Sequence, residues 1–276
     1  MVPILVAMTL QSSQTPPVRK SSLTGEIRIH REFPSEIFRN KRNVSVYLPP
    51  NYGGETKRRY SVLYMHDGQN VFDGMTSYIP NAEWRADEAA QALIESNAIE
   101  PIIIVAIDNA QADRANEFLP TRSREMGGKA KDYGRFLVEE VMPFVNKTYR
   151  TKTGPGNTAI GGSSFGGVVT ACVGMQYPDV FGKLAILSPS VWWDNRVLLK
   201  MVAAMPKKTN QKIWIDIGTA EGSMAVRDTH DLADTYTAKG WKLGKDLFVY
   251  VDRDAEHNER AWASRFGEIL LTFFRK

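Results

Sequence analysis

The chain has 276 residues, of which 43% are hydrophobic and 24% charged, and its formal net charge is +4. This composition is typical of a globular protein with a sizeable core, and the charge is too small and too evenly spread to predict nucleic-acid binding. No segment approaches the roughly 20 apolar residues of a membrane span. The single cysteine, Cys172, excludes an internal disulfide and is expected to pack as a small buried residue.

Residues 1–22 are predicted to form a tail outside the fold. An apolar run over residues 2–10 and the polar, proline-containing stretch after it resemble the end of a secretion signal, but the basic start of such a signal is missing. A vector-derived tail or a mis-set start codon explains the segment equally well. The protein is therefore expected to be secreted or periplasmic if this is a signal, and cytoplasmic otherwise.

Residues 23–276 are predicted to form a single domain, because strand-like and helix-like segments alternate without a composition break or a repeat. The first predicted strands are residues 26–30, 44–48, 60–66 and 102–107, and the first helix is residues 86–95. Residues 60–66 are continuously apolar, which predicts a central strand covered on both faces.

Residues 108–131 are predicted to be a long polar loop of the kind that borders a site. Asp132 is predicted to cap the next helix, which Pro143 should kink. The later strands are predicted at residues 158–160, 184–187, 212–217 and 247–251, and the later helices at residues 168–175, 196–205, 225–239 and 258–274. This repeated order predicts an α/β fold with a mostly parallel sheet and helices on both faces, with ligands bound beyond the carboxyl ends of the strands.

The pattern Gly162-x-Ser164-x-Gly166 lies between a predicted strand and a predicted helix. In that context it indicates a sharp turn that exposes the serine, with glycines where side chains would collide. A helix that starts at Phe165 would direct free N–H groups towards the serine oxygen. A glycine-rich turn without chemistry is the alternative.

A serine nucleophile needs a base, and the chain has four histidines. His30 and His66 precede Ser164, and His230 lies within a predicted helix. His257 follows the last predicted strand, and in this class of fold the chain order serine, acid, histidine favours it as the base, since it leaves the most room for an acid in between.

The acid is predicted to be Glu221, just past the carboxyl end of the strand at residues 212–217 and one strand-helix unit before His257. Asp194, Asp228 and Asp254 are the alternatives. Glu221 could also serve only as a favourable charge at the start of the next helix.

The segment after the strand at 60–66 is predicted to supply a second oxyanion donor. The Gln69 N–H would act beside the Phe165 N–H, with Gly68 allowing close approach of the backbone. Asp67 would line the pocket or close the turn. Calcium binding by Asp67 and Asp73 is disfavoured because the spacing lacks the repeated ligands of a calcium loop.

Trp192 and Trp193 follow the strand after the serine turn and suggest an aromatic wall for a sugar ring or an aryl group. Core packing is the alternative for each of them.

Five segments together resemble a known group of proteins. They are His66-Asp67-Gly68-Gln69-Asn70, residues 161–167, the Ser188-Pro189-Ser190-Val191-Trp192-Trp193 segment, residues 218–221, and His257. From about residue 24 to the end, the chain resembles the esterase D-like esterases of the α/β-hydrolase superfamily. That group includes feruloyl and acetylxylan esterases of carbohydrate esterase family 1, enterobactin-type siderophore esterases, S-formylglutathione hydrolases and mycolyltransferases.

The resemblance implies an α/β-hydrolase fold with Ser164 as nucleophile, His257 as base, Glu221 as acid, and the N–H groups of Gln69 and Phe165 as oxyanion hole. Many members have Asp at the position of Glu221. The acid is therefore the site residue at which this sequence departs from the pattern of the group. The resemblance also implies that no metal or organic cofactor is needed.

The expected function is therefore serine esterase activity on a small-molecule or carbohydrate ester, with acyl or feruloyl esters of carbohydrates favoured. A siderophore ester hydrolase, an acyltransferase with the same triad and a non-catalytic binding module are the alternatives. No nucleic-acid or membrane partner is expected, and the sequence does not indicate the oligomeric state.

Overall fold

The computed structural model describes residues 18–276, which form an eight-stranded sheet, a small hairpin and eight α-helices. The strands are β1 (Glu26–Ser35), β2 (Asn40–Leu48), β3 (Ser61–Met65), β4 (Ile102–Ile107), β5 (Arg122–Ser123), β6 (Met126–Gly127), β7 (Thr158–Ser163), β8 (Lys183–Leu187), β9 (Lys212–Gly218) and β10 (Leu247–Asp252). The helices are α1 (Ala86–Glu95), α2 (Arg114–Phe118), α3 (Ala130–Arg135), α4 (Met142–Thr148), α5 (Phe165–Gln176), α6 (Trp193–Ala203), α7 (Ser223–Ala238) and α8 (Glu259–Phe274).

The strand order in the large sheet is β1-β2-β4-β3-β7-β8-β9-β10. The β1–β2 and β2–β4 pairs are antiparallel, and every pair from β4 to β10 is parallel. This arrangement confirms the predicted α/β-hydrolase fold. It also brings the carboxyl ends of β3, β7, β9 and β10 to one edge of the sheet, where the predicted site residues follow.

Both faces of the sheet are covered, as predicted. Alternate residues of β3 point to opposite sides, with Val62 and Tyr64 in one core cluster and Leu63 and Met65 in the other. Helices α1 and α8 pack on the Leu63 side, while α3 to α7 contribute to the Tyr64 side. All five residues of β3 are buried, which confirms that it is a central strand. Cys172 is also buried, in α5, as predicted.

The prediction of a long loop over residues 108–131 was wrong. The segment contains the 3-10 turn Gln111–Asp113, the helix α2 and the β5–β6 hairpin. Phe118 and Leu119 are fully buried and fix the segment to the core. Elements of two to five residues are too short to show a hydrophobic period, so the pattern did not reveal them.

The predicted cap at Asp132 was also wrong, because α3 begins at Ala130 after Lys129, and Asp132 lies inside its first turn. A π-helical stretch, Phe136–Val141, then separates α3 from α4, which has Pro143 in its first turn. Pro143 has no N–H to continue the α-helical bonding, and the first turn of a helix is where that loss is tolerated.

The predicted signal-like run at residues 2–10 lies outside the described residues, and the domain boundary at residue 22 stays a prediction. The described part of the predicted tail, residues 18–22, is hydrogen-bonded to residues 73–83. Within residues 18–276, no helix has the length and apolar character needed to cross a bilayer.

Candidate active site

Ser164 occupies a sharp turn between the last residue of β7 and the first residue of α5. Its backbone has φ 59° and ψ −120°, an unusual conformation for a residue with a side chain. A Cβ at Gly162 would lie 2.9 Å from Cδ2 of His66, and one at Gly166 would lie 3.2 Å from Oδ2 of Asp67. The glycines therefore allow this turn, as the sequence pattern predicts.

His257 and Glu221 are hydrogen-bonded to each other, with Nδ1 of the histidine 2.6 Å from Oε2 of the glutamate. Glu221 ends the 3-10 turn that follows β9, and His257 follows β10, its parallel neighbour. The Glu221 side chain is 2% exposed, whereas that of His257 is 44% exposed. The buried Glu221 carboxylate thus fixes Nδ1 of His257, while the imidazole ring remains accessible.

The other oxygen of Glu221 accepts hydrogen bonds from the Ser188 hydroxyl at 2.6 Å and from the Gly218 N–H at 2.8 Å. Burial by itself raises the pKa of Glu221, but the hydrogen bonds from His257, Ser188 and Gly218 outweigh it and leave the pKa below its usual value. The carboxylate is therefore ionised and fixed in orientation at neutral pH.

The alternative acids lie elsewhere. Asp228 pairs with Arg196 at 3.3 Å and Asp254 with Arg253 at 3.5 Å, while Asp194 lies in the irregular start of α6. Among the described residues, Glu221 is the carboxylate that hydrogen-bonds His257.

The other histidines also have separate environments. His30 Nε2 lies 2.6 Å from the Tyr149 hydroxyl, and His230 is exposed on α7. His66 is buried with Nδ1 3.0 Å from the Tyr133 hydroxyl, and burial lowers its pKa to about 3. His66 is therefore neutral and fills the space beneath the serine turn.

Ser164 and His257 line the same cleft, whose volume is about 490 Å³. The remaining lining residues come mainly from the segments after β3 and after β4 and from the first turn of α8, and they include Asp67, Gln69, Tyr78, Arg114, Glu259 and Trp262. The Ser164 hydroxyl hydrogen-bonds the Ser190 hydroxyl at 3.2 Å rather than the imidazole. The structure thus brings Ser164, His257 and the Glu221 carboxylate to one edge of the sheet.

The two predicted oxyanion donors lie at the starts of helical turns. Phe165 is the first residue of α5, and Gln69 is the second residue of the 3-10 turn Gly68–Asn70, so neither N–H is used by its own helix. Gln69 and Ser164 both line the cleft. A Cβ at Gly68 would lie 2.6 Å from the carbonyl carbon of Ile107. A glycine is therefore required here because the backbone of residue 68 passes close to the backbone at the end of β4.

Asp67 lines the cleft and also closes a turn, with φ 54°. Its two oxygens accept bonds from Arg114 Nε at 2.5 Å and Nη2 at 2.8 Å, and Oδ1 also accepts from Asn109 at 2.6 Å. Burial raises the pKa of Asp67, but the Arg114 guanidinium outweighs it and the pKa is low. Sequence reasoning missed Arg114 because α2, which carries it, was predicted to be a loop.

The calcium alternative has no support from the geometry. Asp73 accepts bonds from the N–H groups of Ser22 and Met75, and both oxygens of Asp67 are occupied by Arg114. Within residues 18–276, no group of three or more His, Cys, Asp or Glu side chains is arranged to hold a metal ion.

A buried polar network surrounds the far side of Glu221. The Ser188 hydroxyl accepts bonds from Trp262 Nε1 and Arg265 Nη2, both at 2.9 Å. Arg265 also bonds Asp216 at 2.9 Å, and its side chain is 1% exposed. Sequence reasoning missed Ser188 and Arg265, although an arginine among the apolar positions of the last helix is a signal of a buried ion pair.

The predicted aromatic wall is corrected by the structure. Trp193 is 3% exposed, its Nε1 donates to the carbonyl of Thr121 at 3.3 Å, and its ring packs on Phe165. Trp192 is 49% exposed and also contacts Phe165, but neither tryptophan lines the cleft. The aromatic residues that do line it are Tyr78 and Trp262, whereas both members of the tryptophan pair pack on Phe165 of α5.

The chain is similar to known proteins both in sequence and in fold. The sequence matches the family described as "Putative esterase" over residues 35–273. It is 20% identical to uncharacterized protein YbbA of Bacillus subtilis, over 88% of this chain and 96% of that protein. It is 28% identical over 169 residues to the endo-1,4-beta-xylanase/feruloyl esterase of Xylanibacter ruminicola, covering 60% of this chain and 22% of that protein. The crystal structure of the enterobactin esterase FES from Shigella flexneri shares the fold, with TM-score 0.72, 19% identity, and coverage of 92% of this chain and 60% of that chain.

Proposed function

The chain belongs to the Esterase family, and on that premise we propose that it is a serine esterase with Ser164 as nucleophile, His257 as base and Glu221 as the acid that orients the imidazole. The observation that carries this proposal is the 2.6 Å bond between Nδ1 of His257 and Glu221 in a cleft that Ser164 also lines. A fixed Nδ1–H leaves the other ring nitrogen, Nε2, as the proton acceptor.

The reaction begins when the Ser164 hydroxyl turns from Ser190 towards Nε2 of His257. The hydrogen bond between a catalytic serine and its base is often long without substrate and tightens when substrate binds. The 3.2 Å bond between the hydroxyls of Ser164 and Ser190 is therefore compatible with the step. The serine oxygen then attacks the ester carbonyl while His257 takes its proton. The alcohol leaves with that proton, and water releases the acid from the acyl-enzyme by the same steps.

Charge on the carbonyl oxygen is stabilised in this proposal by the N–H groups of Phe165 and Gln69. Each N–H lies in the first turn of its helix, where the helix itself does not use it. The positive end of the α5 dipole adds to this stabilisation. The proposed reaction needs no metal or organic cofactor.

Turnover of p-nitrophenyl acetate by the wild type and by Ser164→Ala tests the proposal. We expect the variant to lose activity by about 10³-fold or more. Ser190→Ala is the matched control, since Ser190 hydrogen-bonds Ser164 but has no proton-transfer role here. Equal rates for the wild type and Ser164→Ala would exclude the serine mechanism.

For the natural substrate we propose an acyl or feruloyl ester of a carbohydrate. The similarity to a protein named as a xylanase/feruloyl esterase supports this choice. A siderophore ester is the second candidate, supported by the likeness to an enterobactin esterase. Methyl ferulate, acetylated xylan and a catecholate siderophore, compared in one panel, distinguish the two, and product analysis with an acceptor alcohol tests for acyl transfer.

A further inference from the structure

Residues 73–81, here called the 73–81 loop, place two apolar side chains at the cleft. Tyr78 and Ile79 both line it, and they are 80% and 45% exposed. The Tyr78 N–H donates to the Asn70 side chain at 2.8 Å, so the backbone is fixed while the aromatic ring remains free. An exposed aromatic ring beside a reactive serine is suited to bind a flat or apolar part of a substrate.

The 73–81 loop consists of turns and bends and has no helix or strand to hold it. Besides the bond to Asn70 and the bonds within its own turns, it is supported by residues 18–22, here called the strap. Arg19 Nη1 donates to the carbonyl oxygens of Met75 at 2.9 Å and of Ser77 at 2.7 Å. Both carbonyls belong to residues that closely precede Tyr78 in the chain.

Asn81 closes the other end of the same loop against the strap. Its side-chain oxygen accepts from the Lys20 N–H at 2.8 Å, and its amide donates to the Val18 carbonyl at 3.0 Å. The Asn81 side chain thus makes one accepted and one donated bond to the backbone of the strap. Neither bond involves the Lys20 side chain.

Ser22 anchors the strap at the base of the loop. Its N–H donates to Asp73 at 3.1 Å, and its hydroxyl accepts from the Gly74 N–H at 2.9 Å and donates to Glu83 at 3.2 Å. A Cβ at Gly74 would lie 2.9 Å from Cα of Asn81, so the two ends of the loop are in close contact. The strap therefore touches the loop at its beginning, middle and end.

We infer that residues 18–22 position the 73–81 loop for substrate binding, with Tyr78 and Ile79 contacting a ring or apolar group of the ester and Arg19 acting as the positioning residue. This inference rests on the proposed function and adds a substrate class to it, namely esters that carry such a group at a distance from the scissile bond. Arg19 acts through the loop, so its loss changes affinity for these esters and leaves the chemical step intact.

Three esters test the inference in the 276-residue chain. Ethyl acetate has no ring, 1-naphthyl acetate has a ring in its alcohol, and methyl ferulate has a ring in its acid. We expect Tyr78→Ala and Arg19→Ala to raise KM for at least one ring-bearing ester by about fivefold to tenfold. For both variants the rise in KM on that ester should exceed the change in kcat and the change in KM on ethyl acetate, and Arg19→Lys should restore part of the lost affinity.

Lys20→Ala is the matched control, because it removes a neighbouring positive charge but keeps the backbone bond to Asn81. It should behave as the wild type. Hydrogen exchange of residues 73–81 provides a second readout and should be faster in Arg19→Ala than in Lys20→Ala.

Unchanged KM values in Arg19→Ala and Tyr78→Ala would overturn the inference, as would an equal loss of kcat on ethyl acetate or an equal effect of Lys20→Ala. Absence of Ser164-dependent turnover on all three esters would instead refute the proposed function. The two failures are therefore distinguishable.

Discussion

The guanidinium of Arg265 lies 2.9 Å from the carboxylate of Asp216, and both side chains are almost completely buried beside Glu221. Arg265 also lies 3.7 Å from Glu221 and 3.2 Å from Asp252. One arginine from the last helix thus neutralises acidic groups at the ends of β9 and β10. The orientation of Glu221 depends on this ion pair through Ser188, which bonds both Arg265 and Glu221.

Arg265→Met should therefore lower the free energy of unfolding and also disturb the orientation of Glu221. Removal of the guanidinium leaves the Asp216 carboxylate buried without a countercharge, which costs about 3–5 kcal/mol in comparable buried pairs. Urea denaturation measures the free energy of unfolding, and Arg260→Met is the control because Arg260 is exposed on the same helix. Equal stability of the two variants would contradict a role for Arg265 in the network.

Glu221→Gln should lower kcat/KM by about 10³-fold or more. If the glutamine oxygen faces His257, its NH₂ group faces the Ser188 hydroxyl and the Gly218 N–H, which now bond the carboxylate. That orientation sets donors against donors, which favours the flipped amide, whose NH₂ group donates to Nδ1 of His257 and imposes the wrong imidazole tautomer. Asp254→Asn should leave the rate unchanged, and the reverse ranking of the two variants would exclude Glu221 as the acid.

The strands, the serine turn and the order of the site residues could be predicted because they follow from local patterns. The continuous apolar run of β3 and the glycines around Ser164 are such patterns, and α1 and β4 have the predicted boundaries. Arg114 and Trp193 could not be predicted correctly, because their environments depend on tertiary contacts. Arg114 reaches Asp67 from 47 residues away, and Trp193 is buried by its contacts with Phe165 and the Thr121 carbonyl.

Gly68→Ala should cost about 1–3 kcal/mol of stability and should also lower kcat. The added Cβ would lie 2.6–2.7 Å from backbone atoms of Ala106, Ile107 and Asp108, and backbone at the end of a central strand cannot move aside. The clash would displace the neighbouring Gln69 N–H. Gly53→Ala is the matched control, since a Cβ there meets nothing within 4 Å. Denaturation and kcat of the two variants, measured side by side, check the prediction.

Asp87 should make the protein less stable as the pH rises. Burial and the neighbouring Glu88 carboxyl group raise the pKa of Asp87 from 3.8 to about 8. Because the folded state favours the protonated form, stability is fully present below about pH 4 and is lost progressively as the pH rises to about 8.

Asp87→Asn should remove this dependence while keeping an acceptor for the Thr24 N–H, which bonds Asp87 at 2.6 Å. We expect the variant to melt about 3 °C or more above the wild type at pH 8, with the difference vanishing near pH 4. Thermal unfolding at the two pH values measures it. A larger advantage at pH 4 than at pH 8 would contradict the raised pKa.

Arg114 and Asp67 should be energetically coupled at the cleft. Arg114→Met leaves the carboxylate of Asp67, which is 8% exposed, with the Asn109 amide at 2.6 Å but without its countercharge. The pKa of Asp67 then rises, and the free energy of unfolding falls by about 2–4 kcal/mol. Asp67→Asn is the conservative partner variant, because asparagine tolerates the left-handed backbone at this position.

The double variant Asp67→Asn/Arg114→Met should be more stable than Arg114→Met alone, since the unpaired buried charge is gone. A double-mutant cycle on the free energy of unfolding should therefore give a coupling of at least about 1 kcal/mol, and additive effects would contradict the pairing. If Arg114 served only this structural role, ester affinity would recover in the double variant. Affinity that stays low there, with stability recovered, would identify Arg114 as a substrate contact.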